Sequence, residues 1–468
     1  MRATASLILL TVLACSIAAM PQVSPSTAIP RPLINQPLIP DTIAPRHPAF
    51  KLTVNGTNFS SKAVVRWNGQ PRQTTVVNAS QLTAMISAAD VATPQTVTIT
   101  VRNPGAGNLI SNPVFFTVTG KTASVGFRGH DYVSNIVPVD LVVGNFNADG
   151  KLDLAVSNVV GSVTVFLGNG NGTFQSGVDY PVPGGALHLV SGDFNGDGKA
   201  DLAVGNGQDP GAVSILLGKG DGTFQDAVSY ATGGSTFGVA TADLNGDGFL
   251  DLVTGDQFSN TISVLLGNGD GTFQSHTDFA TDLFPIGVTV GDFNDDGILD
   301  VATANADNKS VSVLLGNGDG SFQTHQDYAV GTLPVALVTA DFNGDGKLDL
   351  AVANPDDNNI SILTGNGDGS FSPLGTVATG VSPNDIKAAD FNGDGKLDLA
   401  IVVNNTVHEA EVFLGNGDGT FQSLLGFPIG AGPFGLAIAD FNRNGKLDIL
   451  TVNLSGNSVT VLNQVKAQ

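Results

Sequence analysis

The sequence predicts an all-β chain, a seven-bladed β-propeller preceded by a small β-sandwich. One string, DFNGDGKLDLAV at Asp341, recurs in degenerate form with first residues Asn145, Asp193, Asp243, Asp292, Asp341, Asp390 and Asp440, at spacings of 48, 50, 49, 49, 49 and 50. A second string, LGNGDGTFQ, follows each of the first six about 24 residues later, ending at Phe174, Phe224, Phe273, Phe322, Phe371 and Phe421. No stretch has a helical period. A unit of about 49 residues made of short apolar runs between Gly-, Asn- and Asp-rich turns reads as one four-stranded blade.

Each element of a unit can be placed. In the fifth, strand A covers Val335 to Ala340, B covers Leu348 to Ala353, C covers Ile360 to Thr364, and D follows Phe371. The inner strands read as continuous Val, Leu, Ile and Ala runs, as strands covered on both faces do. The seventh unit stops after its third strand. Residues 122–133 supply the fourth, because Phe127, His130 and Tyr132 align with Phe273, His276 and Phe279 apart from a one-residue gap. That strand closes the ring and removes an open sheet edge. All four Tyr (Tyr132, Tyr180, Tyr230, Tyr328) share this one position and read as packing residues.

Residues 36–119 lack the repeat. Lys51-Leu-Thr-Val, Ala63-Val-Val-Arg-Trp and Thr96-Val-Thr-Ile-Thr-Val alternate between Asn-Gly and Asn-Pro turns, which suits a small sandwich with Trp67 in its core. Residues 20–35 are a Pro-rich linker. Residues 1–19 read as an export signal, with Arg2, the apolar run Leu7 to Ala14 and small residues to Ala19. Cleavage after Ala18 or Ala19 removes the single Cys. The alternative is a lipoprotein signal, Val12-Leu13-Ala14-Cys15, with Cys15 as a lipid anchor. Either way the mature chain is expected to be secreted or held at the cell surface, without a transmembrane span and as a monomer.

The net charge of −22, with 20 Lys and Arg over 468 residues, excludes nucleic acid as a partner. Of 42 acidic residues only Glu409 and Glu411 are Glu, so Asp dominates, and it recurs at fixed intervals suited to turns and cation loops.

Residues 121–468 resemble the FG-GAP or VCBS repeat family, whose best-known relative is the propeller of integrin α-subunits. The resemblance rests on seven DxNxDGxxD-like loops at blade spacing, the LGNGDGTF turns, and Phe-Gly pairs such as Phe237-Gly238 and Phe434-Gly435. Residues 36–119 look like an IPT/TIG domain through LTVNGTNF at 52–59, VVRWNG at 64–69 and TVTITVRNP. That resemblance implies an immunoglobulin-like fold and no chemistry.

In every loop, positions 1, 3, 5 and 9 carry oxygen donors, and Gly at position 6 permits the turn that gathers them. Hard oxygen ligands in that pattern are what Ca²⁺ takes, with a carbonyl at position 7. The donors are Asn145, Asn147, Asp149 and Asp153 in loop 1, and Asp193, Asn195, Asp197 and Asp201 in loop 2. Loop 3 offers Asp243, Asn245, Asp247 and Asp251, and loop 4 offers Asp292, Asn294, Asp296 and Asp300. Loops 5 and 6 offer Asp341, Asn343, Asp345, Asp349 and Asp390, Asn392, Asp394, Asp398; loop 7 has Asp440, Asn442, Asn444 and Asp448. Three carboxylates in nine residues repel one another unless a cation intervenes. Up to seven ions are expected, five tighter, because loops 1 and 7 carry two carboxylates where the others carry three.

No catalytic set is visible: His47, His130, His188, His276, His325 and His408 are scattered, and the chain carries no nucleophile motif. Glu409 and Glu411, two apart on a strand, are the one carboxylate pair that acid–base work would use. A calcium-binding module that adheres to an extracellular protein or glycan is therefore expected; a lectin or a lyase-like carbohydrate-active enzyme is the alternative. The calcium loops are nearly alike in all blades, whereas the B-to-C loops on the opposite face diverge, and repeat proteins often place recognition where copies differ. Asp209, Asp256, Phe258, Asp307, Asp356, Asp357 and His408 are the candidate ligand contacts there.

Overall fold

A computed structural model describes residues 31–466 except 35–37, 39–41, 44, 105–108, 112–113, 120–123, 134–136, 209 and 405–407. Residues 1–19, expected to be an export signal and including Cys15, and Asp209 lie outside the described residues.

Among the described residues every element is a strand. Seven antiparallel four-stranded sheets follow the repeat among the described residues. The first comprises Pro138–Gly144, Asp153–Asn158, Ser162–Phe166 and Val178–Pro181 in sequence order. The first strands of successive sheets neighbour one another around a closed cycle, so that Pro433–Ala439 packs beside Pro138–Gly144. Each sheet is therefore one blade. In blade 5 the strands run Ala336–Ala340, Asp349–Asn354, Asn359–Gly365 and Phe371–Ala378.

Strand B of every blade is buried along its length, since blades cover it on both faces. The last blade takes its outer strand from before the first: Val125–Val133 pairs antiparallel with Ser458–Lys466 in unbroken register. Aromatic rings stitch the blades together. Phe224 of blade 2 meets Phe146 of loop 1 at 5.6 Å and Tyr180 of blade 1 at 5.4 Å, both edge-on. The same triple recurs at Phe273 with Phe194 and Tyr230, and at Phe371 with Phe293 and Tyr328. Phe127 serves blade 7 in the same way, packing on Phe391.

The N-terminal unit is a two-sheet sandwich whose long strand Phe50–Thr57 alternates buried and partly exposed residues. Trp67 and Phe116 meet in its core at 5.3 Å. The sandwich also takes in Leu33 and Ile34, which composition assigns to the linker; they are buried and pair with Gly56 and Thr57. Two apolar residues among prolines carry no period, so pairing alone reveals them.

Candidate metal centres

The nine-residue loops join strand A to strand B. In loop 2, Gly198 at position 6 has φ +85°, the left-handed turn that folds the loop back on its first residue. Its N–H donates to Asp193 Oδ2 at 2.8 Å, and the Asp197 N–H donates to Asn195 Oδ1 at 2.9 Å. The Lys199 N–H donates to Asp197 Oδ1 at 2.9 Å. Loops 3 and 4 repeat this pattern.

Position 9 is the anchor. Asp201 accepts the Phe194 N–H on Oδ2 at 2.9 Å and the Gly218 N–H on Oδ1 at 2.7 Å, tying the loop to the C-to-D turn on the same face. Asp153, Asp251, Asp300, Asp349, Asp398 and Asp448 do likewise. Blade 7 has no LGNGDGTF turn, so Gln464 substitutes: its N–H donates to Asp448, and its side-chain amide donates to the Phe391 carbonyl at 2.9 Å. In blades 1, 2, 3, 5 and 6 a turn glycine of that blade donates to the carbonyl at position 2 of the preceding blade's loop.

All seven position-9 carboxylates are 0% exposed. Burial, joined by repulsion from positions 1 and 5 of the same loop, pushes Asp201, Asp251 and Asp398 up to about 7, and Asp300 and Asp349 up to about 6. Burial, with Asp440, takes Asp448 up to about 7. The donor set, hard oxygens only, fits a cation such as Ca²⁺. In loop 6 the fit is sharpest: Asn392, 3% exposed, has a buried Oδ1 with no hydrogen-bond partner. Among the described residues no three carboxylate, imidazole or thiolate groups converge to metal-binding separation; the carboxylates are turned onto the N–H groups named above.

The loops differ in ways that carboxylate number alone does not reveal. Ammonium groups sit on position 5 of loops 1 and 2, where Lys151 Nζ lies 2.9 Å from Asp149 and Lys199 Nζ lies 3.0 Å from Asp197. Loops 3 and 4 have Phe249 and Ile298 at that place. Arg443 of loop 7 donates to the Gly150 carbonyl of loop 1. The sandwich touches this face as well, with Thr96 Oγ1 2.6 Å from Asp440 Oδ2 and Arg31 Nη1 3.7 Å from Asp193 Oδ2.

On the opposite face, Asp307, Asp356 and Asp357 are exposed, His408 is half-buried, and Phe258 is 68% exposed with its ring 5.6 Å from Phe284. Asp256 departs from the expectation. It is fully buried and accepts hydrogen bonds from Thr254, Thr236 and Ser263, so no ligand reaches it. It ends strand B where Asn158, Asn206, Asn305, Asn354 and Asn453 end theirs, each bonded to a Ser or Thr of strand C. Glu411 is structural too: both of its oxygens accept the Gly380 N–H at 3.0 Å, and burial raises its pKa. His276 and His325 pair with Asp278 and Asp327 on outer strands.

One cluster goes unread in the sequence. Five residues before the loop, strand A carries Gly238, Gly287, Ala336 and Gly435 in four blades, but Asp140, His188 and Asp385 in blades 1, 2 and 6. His188 Nδ1 lies 3.2 Å from Asp140 Oδ2, and Lys387 Nζ lies 2.8 Å from Asp385 Oδ1. Asp140 and Asp385 also accept the Leu189 and Leu436 N–H groups of the next blade. Aligning the copies position by position would have exposed these three.

A profile for the FG-GAP-like repeat matches residues 145–204, 193–254, 243–303, 292–352, 341–401 and 390–451, and one for the IPT/TIG domain matches 44–118. Among solved structures the chain is similar to BBS1N in complex with ARL6DN, at 13% identity and TM-score 0.54 over 74% of this chain and 98% of that one. It is also similar to an auxiliary nutrient binding protein from Bacteroides ovatus, at 11% identity and TM-score 0.44 over 93% and 98%. A third is the periplasmic gluconolactonase of Pseudomonas aeruginosa, at 16% identity and TM-score 0.49 over 72% and 93%. At such identities the first likeness shows a shared fold, and the other two carry no argument. No curated protein matches the sequence. The repeat profile spans 145–451, well over half of the chain, and each match begins on the first residue of a loop built as described above; the chain belongs to the FG-GAP-like repeat family.

Proposed function

We propose that the chain is an exported binding module, a propeller stiffened by calcium on one face that engages an extracellular protein or glycan with the other, and that it catalyses no reaction. One observation carries the calcium reading: seven fully buried position-9 carboxylates, each with at least one further acid in its loop, form no ion pair with a cationic side chain among the described residues. The position-1, -3, -5 and -9 oxygens would hold the ions, and a bound ion supplies the positive charge that lets the acids stay ionised side by side. Seven such ions would bring the formal charge from −22 to −8. Export, by cleavage after Ala18 or Ala19 or by lipidation of Cys15, belongs to the same proposal, because millimolar extracellular calcium fills modest sites.

The glycan reading has its own support. Exposed Phe258 packs edge-to-face on the half-buried Phe284, a pair suited to the apolar face of a sugar or to an aliphatic side chain. Among the described residues no helix is long and apolar enough to cross a membrane.

Elemental analysis for calcium, with melting curves in Ca²⁺ and in EGTA, tests the first half. A glycan array and a protein pull-down with the full chain test the second. Absence of bound calcium, with a melting temperature indifferent to EGTA, would falsify the calcium half; turnover of a polysaccharide to unsaturated, ultraviolet-absorbing ends would replace the binder with a lyase.

A further inference from the structure

The sandwich meets the propeller at the first residue of three loops. Thr96 Oγ1 donates to Asp440 Oδ2 of loop 7 at 2.6 Å. The Thr57 hydroxyl is buried beside Asp243 of loop 3 and has no hydrogen bond of good geometry to any group. Arg31 Nη1 stands 3.7 Å from Asp193 Oδ2 of loop 2. The fit is close: a Cβ added at Gly445 of loop 7 would come within 2.3 Å of the Pro94 ring. Asp243 and Asp440 are buried, as is Asp390 of loop 6, whereas position 1 of loops 4 and 5 is partly exposed.

Position 1 is the side chain on which each loop folds, a carboxylate in loops 2 to 7 and the Asn145 amide in loop 1, since it accepts the N–H of the position-6 glycine. A hydroxyl that fixes this carboxylate therefore acts on the whole loop. Two groups brought by one rigid sandwich to loops separated by two blades cannot both engage unless the sandwich is seated.

We propose that seating of the N-terminal sandwich and ion occupancy of loops 3 and 7 are one linked equilibrium, with Thr57 and Thr96 as the positioning residues that couple them. This rests on the calcium reading above. Asp243 and Asp440, if they held an ion, would be fixed where the two hydroxyls reach them, as Thr96 already reaches Asp440, and a seated sandwich would in turn hold those carboxylates for the ion. Linkage requires the effect to be equal in both directions. Loop 2 carries the opposite sign, because the Arg31 guanidinium occupies the charge that an ion would fill.

The test uses the full chain and CaCl₂ alone as the probe. Calcium titration by calorimetry should show two ions weakened roughly tenfold in the T57V/T96V variant, the size expected when hydrogen bonds to charged groups are removed. The ion of loop 2 should tighten as Arg31 leaves Asp193, the ions of the other loops should be unchanged, and T57S/T96S, which keeps both hydroxyls, should behave as wild type. Spin labels at the exposed sites K62C and D226C report the seat directly. Calcium should give a narrow distance, and EGTA or T57V/T96V a broadened one. Unchanged affinities in T57V/T96V, or a label distance indifferent to EGTA, would overturn the coupling while leaving calcium binding intact. A wild-type chain that binds no calcium would bring down both readings.

Discussion

His188 Nδ1 stands 3.2 Å from Asp140 Oδ2, so a side chain of blade 2 grips the first strand of blade 1. Asp140 in turn accepts the Leu189 N–H of blade 2, and the Lys387–Asp385 pair of blade 6 faces the same group across blade 7. The cluster therefore braces the blades on both sides of the one that closes the ring.

That geometry makes stability depend on pH. Burial alone would lower the His188 pKa, but the Asp140 carboxylate outweighs it, with Asp385 adding to the effect and Lys387 opposing it, so the imidazole titrates above its ordinary range. A raised folded value means that the stabilisation is complete below the unfolded pKa of about 6.5 and fades as pH rises through the folded value. In saturating calcium, H188Q should cost about 1–3 kcal/mol at pH 6 and less at pH 9, the side chain being about a quarter exposed. Chemical denaturation of both proteins at the two pH values measures this. An equal deficit at both would remove the charge from the explanation.

Without calcium the loops themselves should respond to acid. Six position-9 aspartates titrate at about 6 to 7 when folded, against about 3.9 unfolded. Their raised values contribute stability that is present at low pH and lost as pH climbs through 6 to 7. The EGTA-treated chain should therefore melt higher at pH 5 than at pH 8, and added calcium should raise the melting temperature most at pH 8. A chelated protein that is most stable at pH 8 would contradict this.

Ion affinities should fall in a definite order. Loops 3 and 4 have three carboxylates and no lysine at position 7, and should fill first. Loops 1 and 7, with two carboxylates each and with Arg443 bridging them, should fill last. Removing an ammonium should help: K199A should tighten one site, because Lys199 Nζ occupies Asp197 at 3.0 Å. The gain should be roughly severalfold, as for a partly exposed ion pair. Calorimetric titration in low salt resolves it, and a weaker site in K199A would mean that the lysine shapes the loop rather than competing for it.

The two faces should respond to substitution in opposite ways. F258A, D307A and D356A alter exposed side chains and should shift stability by less than about 0.5 kcal/mol while weakening capture of whatever the array or pull-down identifies. D256A strips a buried acceptor from Thr236, Thr254 and Ser263 and should cost about 2–4 kcal/mol without a direct contact to any ligand. A D256A protein as stable as wild type would return Asp256 to the ligand face.

The blades were legible because their punctuation is local. Gly at position 6 and Asp at position 9 recur within nine residues, and the closing strand betrays itself by the spacing of Phe127 and Tyr132. What stayed hidden depends on partners far along the chain. Asp256 looks like an exposed loop acid until the strand-C serine at 263 is seen to lie against it. Leu33 and Ile34 look like linker until Thr57 and Gly56 pair with them. Position 9 was read as a ligand, and its second task, holding the N–H of the C-to-D turn 15 to 17 residues away, lies beyond what loop spacing encodes.

The pairing of Val125–Val133 with Ser458–Lys466 also sets the order in which the molecule can assemble. Blades 1 to 6 are each complete within about 45 residues, so they can form one after another as the chain is delivered. Blade 7 cannot: Thr460 meets its partner Asp131 across 329 residues. Closing so long a loop adds only about 1.7 kcal/mol of entropy over closing a single blade, but it makes closure the last event, waiting on the final strand. Until then two sheet edges stand open, one at each end of an unfinished ring, and each is a template for a second chain. Premature release of the nascent chain is thus the step at which this fold is most exposed to aggregation.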